Sequence, residues 1–351
     1  MASPLEGQVA LVSGATRAAG RGIARELAAA GAKVYCTGRS TRGAPATPGR
    51  PETIEETAEL IAADGGAAVA VRVDHTVEAE VEALAARIKA DERRLDILVN
   101  DIWGGDELID WDAPFWKQDM AAARALVDQA LFSHWITARH CAPMMVEANR
   151  GLIVEVTDGN DPGYRGTLLF DFIKSGLIRL AYEMAWDLAT TRVTALALSP
   201  GFLRSEAMLE RFGVTEANWR DGVASDPHFA ESETPRYVGR AIAALAADPN
   251  LRAKAGGAYF AADLATEYGF TDVDGRQPQF WKSVLARLEP ELAGEADLSP
   301  SARMHASTRY QRLHPSAAHA DEARALAARL GWRRLGAGLQ PVGGLTPSPR
   351  A

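Results

Sequence analysis

A doubly wound parallel α/β sheet of about seven strands, with helices on both faces, is the fold this sequence predicts. Three observations predict it. Short runs rich in β-branched and apolar residues recur as far as residue 262. Longer alanine-rich stretches with a helical period lie between them. The strand-like runs are nearly continuous in apolar residues rather than alternating, as expected for strands covered on both faces of a parallel sheet. A βαβαβ alternation of this kind gives right-handed crossovers.

The strands are read at "QVALVSG" (8–14), "KVYCTGR" (33–39), "AAVAVRVD" (67–74), "LDILVND" (95–101), "GLIVEVT" (151–157), "RVTALALSP" (192–200) and "GGAYFAA" (256–262). The helices between them include "RGIARELAAAG" and "IEETAELIAADGG", each with a glycine stop, then "VEAEVEALAARIKADE" and "TLLFDFIKSGLIRLAYEMAWDLAT". Two regions fit less well. Residues 102–135 hold Trp103, Trp111, Trp116 and Trp135, half of the chain's eight tryptophans, and form a longer link than a strand-to-helix turn needs. Beyond residue 282 the chain reads as an extension, 283–351, on a main domain of residues 1–282. Its end is polar, interrupted by prolines and locally basic, and is expected to be a solvated or subunit-contacting arm.

The chain has 351 residues, 47% hydrophobic and 24% charged, with a net charge of −8. That balance belongs to a globular protein with a sizeable core and argues against nucleic-acid or membrane partners. No basic segment precedes the first apolar run and no stretch has the ~18 apolar residues of a bilayer span, so the expected location is the cytoplasm. Cys36 and Cys141 sit in apolar runs and are expected to be core thiols. His305, His314 and His319 do not share a helical face, so no metal site is expected.

"SGATRAAGRGIA" (13–24) follows the first strand and opens the first helix, where small residues let backbone approach a pyrophosphate on the helix N-terminus. Gly14, Thr16, Arg17, Ala18 and Gly20 belong to this turn. Asp74 and Asn100 stand at the carboxyl ends of the third and fourth strands, where ligands bind such sheets.

On these residues the sequence resembles the short-chain dehydrogenase/reductase family over roughly residues 6–270. The family's TGxxxGxG corresponds to "SGATRAAG", with Ala18 replacing the middle glycine. Its NNAG corresponds to "NDIW" (100–103), and its PG motif to Pro200–Gly201, with Ser205 at the threonine position that caps the nicotinamide amide. The resemblance implies a Rossmann-type fold, a nicotinamide cofactor, a small-molecule substrate and a homodimer or homotetramer built on the long helices. The second strand ends in "CTGRSTR" with no acid for a ribose 2′-hydroxyl. Arg39 and Arg17 suit a 2′-phosphate instead, so the expected cofactor is NADP(H).

The resemblance also exposes what the chain lacks. The family's serine position is Asp158, its tyrosine position Phe170 and its asparagine position Ala130, and only Lys174 is kept. Three functions stay open. An NADP(H)-dependent reductase can use another proton donor, with Asp158 and Tyr164 as candidates. A reductase of an iminium ion or conjugated alkene has little need of one. A cyclase, isomerase, dehydratase or silent nucleotide-binding subunit can reuse the pocket. The first two make an NADP(H)-dependent oxidoreductase acting on a bulky carbonyl, iminium or conjugated substrate the expected function. Lys174 is then expected to hold the cofactor ribose rather than to relay protons.

Overall fold

The computed structural model describes residues 3–160 and 166–293. The seven predicted strands form one parallel sheet in the order β3-β2-β1-β4-β5-β6-β7. They are β1 (Val9–Ser13), β2 (Lys33–Gly38), β3 (Ala67–Arg72), β4 (Ile97–Asn100), β5 (Gly151–Val156), β6 (Val193–Ser199) and β7 (Ala258–Phe260). The last is shorter than expected, because helix begins at Ala261.

The helices are α1 (Ala18–Ala29), α2 (Ile54–Ala63), α3 (Glu78–Glu92), α4 (Met120–Val127), α5 (Ser133–Ala148), α6 (Leu168–Asp187), α7 (Glu206–Phe212), α8 (Pro235–Ala247), α9 (Ala261–Tyr268) and α10 (Phe280–Ala293). Local chemistry starts several of them. The Thr53 hydroxyl accepts the Glu56 amide to open α2, and Thr167 does the same for the Phe170 amide of α6. Thr234 caps α8, with Pro235 at its first position.

One face of the sheet is covered by α1, α8 and α9 through Ile23, Leu27, Val238, Ile242 and Leu264. The other is covered by α3 and α5 through Val81, Leu84, Ile88 and Met145. Each such side chain contributes roughly 1.5–3 kcal/mol when fully buried. Both faces are covered, so every residue of β1 and β6 is buried, which explains the uninterrupted apolar runs. Cys36 and Cys141 are free and buried in these two cores, and burial pushes both thiols up to about 12.

The chain divides into two units. The described part of the first comprises residues 3–160 and 167–283, and α10 continues past its end. The predicted boundary at 282/283 thus falls inside a helix. The residues after 293, including the predicted arm, lie outside the described residues.

A buried polar chain crosses the sheet at its carboxyl edge. Ser13 Oγ donates to Asn100 Oδ1 at 2.9 Å, and Asn100 Nδ2 donates to Glu155 Oε1 at 2.8 Å. His134 Nδ1 meets Glu155 Oε2 at 2.6 Å, and its Nε2–H donates to the Ile102 carbonyl at 3.0 Å. Ser13, Asn100, His134 and Glu155 are all fully buried. Removing one partner of a buried pair typically costs 3–5 kcal/mol. Glu155→Leu should therefore lower the unfolding free energy by about that much in urea denaturation. Glu155→Leu combined with His134→Leu should cost clearly less than the two single losses added together.

Candidate functional site

A cavity of about 320 Å³ opens at the carboxyl ends of the strands, where the order reverses between β1 and β4. Its wall is the turn from β1 into α1. Gly14 has φ +88°, and a Cβ there would collide with the Asp101 carbonyl. A Cβ on Gly20 would collide with the Gly14 carbonyl, so both positions of the motif need glycine for close approach. Ala18 keeps the glycine-like backbone of the position it replaces, with φ +47°. That strain is of order 1 kcal/mol. The Ala18 amide at the head of α1 donates to Glu206 Oε2 at 2.9 Å.

At one end of the cavity the backbone leaves β2 through Arg39 and Ser40. Arg39 Nη2 donates to Gln129 Oε1 at 2.9 Å, and Gln129 Nε2 donates to the Trp103 carbonyl at 2.5 Å. Arg17 Nη2 donates to Thr47 Oγ1 at 3.2 Å. Burial pulls the Arg17 guanidinium below its ordinary range, with Glu52 pulling back and Arg50 adding to the fall. Both guanidinium groups line the cavity. Asp74 lines it too. Burial would raise its carboxyl, but hydrogen bonds from the Thr76 hydroxyl and amide, with Arg39 and Arg72 nearby, hold it below the usual range.

At the other end, Lys174 Nζ lies 4.1 Å from the centroid of the Trp103 ring and 5.7 Å from that of Phe170. Phe170 packs edge-on to Trp103 at 5.5 Å and tilted against Trp111 at 5.3 Å. Thr157 Oγ donates to the Lys174 carbonyl at 2.7 Å, which ties the end of β5 to α6. Asp101 shares this floor. Although the residue as a whole is only half-buried, its carboxyl is enclosed, and that desolvation raises it to about 7. Lys174, His134 and the Gly20 amide oppose the rise. Asp101 thus holds a proton close to neutral pH, beside an ammonium.

The arrangement fits a dinucleotide: a cradle of glycines, a twelve-residue helix starting at the cavity wall, and two arginines at the β2 end. Comparison with known proteins agrees. The pattern of the short chain dehydrogenase family matches residues 8–213. This chain belongs to the short-chain dehydrogenase/reductase family of oxidoreductases. Mouse and human proteins named dehydrogenase/reductase SDR family member 1 are 33% and 32% identical to it over 281 and 298 residues. The matches cover 79% and 82% of this chain and 86% and 90% of those proteins. Among solved structures, hydroxysteroid dehydrogenase from Escherichia coli is 25% identical with a TM-score of 0.58, covering 73% of this chain and 95% of its own. A metagenomic short-chain oxidoreductase in complex with NADP has the same fold at 23% identity and a TM-score of 0.56, covering 74% and 97%.

In this short-chain dehydrogenase the cavity brings together Gly14, Thr16, Arg17, Ala18, Arg39, Asp74, Lys174, Pro200 and Ser205 from the sequence prediction. Gly20, Asn100 and Gly201 stand behind the wall as packing and hydrogen-bonding residues. Phe170 packs between Trp103 and Trp111, and Ala130 lies in a π-helical turn, Asp128–Phe132, between α4 and α5. Asp158 follows Thr157 just past β5, half-buried, and it is Thr157 that lines the cavity. Tyr164 lies outside the described residues. Of the four tryptophans in 102–135, Trp103 lines the cavity, and Trp111, Trp116 and Trp135 are exposed rather than packed in a core.

Sequence reasoning passed over Asp101, His75, Gln129 and Glu206, all of which line the cavity. Asp101 had a signal, an acid at the second position of "NDIW". His75 had none: it is buried, both ring nitrogens meet threonine hydroxyls at 2.8 Å, and burial pushes it down to about 3 and keeps it neutral.

The Asp101 carboxyl gives a pH test. Folded, it keeps its proton through a range where the unfolded chain has lost it. The folded state then binds more protons, and stability from this group falls as pH rises from the ordinary aspartate range toward 7, staying low above it. Asp101→Asn should therefore stabilise the protein by roughly 1–2 kcal/mol at pH 8 and by much less at pH 4. Denaturant melts at the two pH values measure the difference, and an equal effect at both would show that ionisation of Asp101 is not involved.

Proposed function

We propose that this protein is an NADP(H)-dependent oxidoreductase of a bulky carbonyl, iminium or conjugated small molecule, working with a non-standard proton donor. The observation that carries the cofactor choice is the pair Arg17 and Arg39, both lining the cavity at the end of β2 where no acid stands. Guanidinium groups pair bidentately with phosphate oxygens, so this end suits an adenosine 2′-phosphate. The head of α1 and the amides around Gly14 suit the diphosphate, and Lys174 and Ser205 suit the nicotinamide half. When bound, the cofactor supplies or accepts hydride.

The substrate reading rests on Phe170. A phenyl ring wedged against two indoles offers no hydroxyl to a developing alkoxide, and Lys174 has the Trp103 face beneath it. Lys174 is then a cofactor-holding group. A proton, where one is needed, falls to a carboxyl. Asp158 stands at the serine position, and Asp101 is held near neutrality within electrostatic reach of Lys174. An acceptor already activated, such as an iminium ion or an enone, asks least of these groups. The aromatic wall of Trp103, Trp111 and Phe170 favours a flat apolar one.

We also infer a homodimer or homotetramer. The π-helical turn and α5 expose a stacked Phe132–Trp135 pair, and α6 exposes Phe172 and Trp186, faces that a second copy would cover. We read residues 1–282 as the catalytic domain and 283–351 as its extension.

NADPH should bind at least tenfold tighter than NADH, about 1.4 kcal/mol. Arg39→Ala or Arg17→Ala should shrink that ratio. Fluorescence titration with both cofactors measures it, and equal affinities in the wild type would remove the arginine argument. On an activated small ketone, Phe170→Tyr should raise NADPH-dependent turnover by roughly tenfold or more, because a positioned general acid supplies ~10²–10⁴-fold. Wild-type turnover of such ketones at several per second would mean that another donor is already fully competent.

A further inference from the structure

The head of α1 is already taken by an anion from within the chain. Glu206, the first residue of α7, extends its carboxylate across 188 positions of sequence to the Ala18 amide, with Oε2 accepting at 2.9 Å. Its other oxygen lies 3.8 Å from Arg21 Nη1. Farther along the same helix, Glu210 Oε2 pairs with Arg50 Nη1 at 2.7 Å, and Arg50 is itself bound to Glu52 at 2.5 Å. Helix α7 has no buried residue of its own. These ion pairs and the Ser205 cap, which accepts the Met208 amide at 3.3 Å, hold its first turns, and Phe212 at its end stacks on the buried Phe229 with ring centroids 4.4 Å apart. Glu206 and Ala207 line the cavity together with Arg17, whose charged form Glu206 favours against its burial.

The N-terminus of a helix holds one anion well, because its unpaired amides and dipole point at one place. A carboxylate on the Ala18 amide fills that place. We propose that Glu206 is a carboxylate latch, holding α7 over the cavity by capping α1 until the diphosphate of a dinucleotide takes its position. The inference rests on the cavity being a dinucleotide site. The diphosphate and the Glu206 carboxylate compete for the Ala18 amide, so binding requires Glu206 to release its hold. Cofactor affinity is then the diphosphate's affinity for α1 less that of Glu206, and the position of α7, which carries cavity-lining residues, follows cofactor occupancy.

The test is a calorimetric titration of the full chain with NADPH, and separately with inorganic pyrophosphate, for wild type and two variants. Glu206→Gln removes the charge at nearly the same shape. Glu206→Asp keeps the charge but shortens the reach by one methylene. Both variants should bind NADPH and pyrophosphate more tightly, Glu206→Gln by about five- to tenfold. Thermal melts check that each variant is folded, and Glu206→Asp serves alone if Glu206→Gln is not. Unchanged or weaker binding in a folded Glu206→Gln would overturn the latch, since the carboxylate would then be a bystander or a cofactor contact. Tighter binding in Glu206→Gln with wild-type binding in Glu206→Asp would also overturn it, by showing long-range repulsion rather than displacement. If neither NADPH nor NADH binds any of the three at millimolar concentration, the dinucleotide reading itself falls.

Discussion

The hydrogen-bonded chain from Ser13 through Asn100 and Glu155 to His134 and the Ile102 carbonyl is the constraint on which the functional edge of this protein depends. Parallel strands are joined along their length by backbone bonds, but at their carboxyl ends that ladder stops and each chain turns away. Here side chains continue the connection across β1, β4 and β5, and His134 adds α5. Its end point, the Ile102 carbonyl, fixes where the segment carrying Trp103 begins. Asn100 is spent entirely within this chain, with Oδ1 accepting from Ser13 and Nδ2 donating to Glu155 and to the His134 carbonyl. The cost of burying so many polar atoms is offset only if all are satisfied together, which makes the edge stiff.

From that edge the positions of the chemical groups follow. With Ile102 held, the Asp101 carbonyl presses against Gly14 and its carboxyl turns toward Gly20 and Lys174. Trp103 is set beneath the Lys174 ammonium, and its carbonyl takes the Gln129 amide, which in turn receives Arg39. One path of contacts thus runs from the lysine at one end of the cavity to the arginine at the other. Gln129, the link in this path, lies in the π-helical turn at 128–132. Phe170 belongs to the same packing. It packs edge-on to Trp103 and tilted against Trp111, with a ring edge where a hydroxyl would stand.

Much of the fold was legible because burial on both faces of the sheet forces unbroken apolar runs such as "ALV" in β1 and "TALAL" in β6. The glycine turn, Arg17, Arg39 and Lys174 were legible too, since each sits at a strand end or on a helix whose start the chain announces. What was not legible depends on approach between distant segments. Nothing near Glu206 indicates that it reaches Ala18, and nothing near His75 indicates two threonine hydroxyls, Thr37 and Thr137, closing around its ring. Asp158 was read as the group facing the site from its place in a motif. At the end of β5 both Val156 and Thr157 line the cavity, and Asp158 follows them half-buried.

Around the head of α1 and the β2 end, several cations already face carboxylates of the chain. Arg50 has Glu52 and Glu210, Arg21 has Glu56 and Glu206, and Arg17 feels Glu52 and Glu206. A protein of net charge −8 would otherwise repel a polyanionic dinucleotide at long range. On the proposed latch, a diphosphate would exchange with the Glu206 carboxylate for the Ala18 amide at close quarters. Selectivity would then come from geometry rather than from net charge. On that proposal, a ligand with phosphate both at the head of α1 and near Arg17 and Arg39 would gain most from the site.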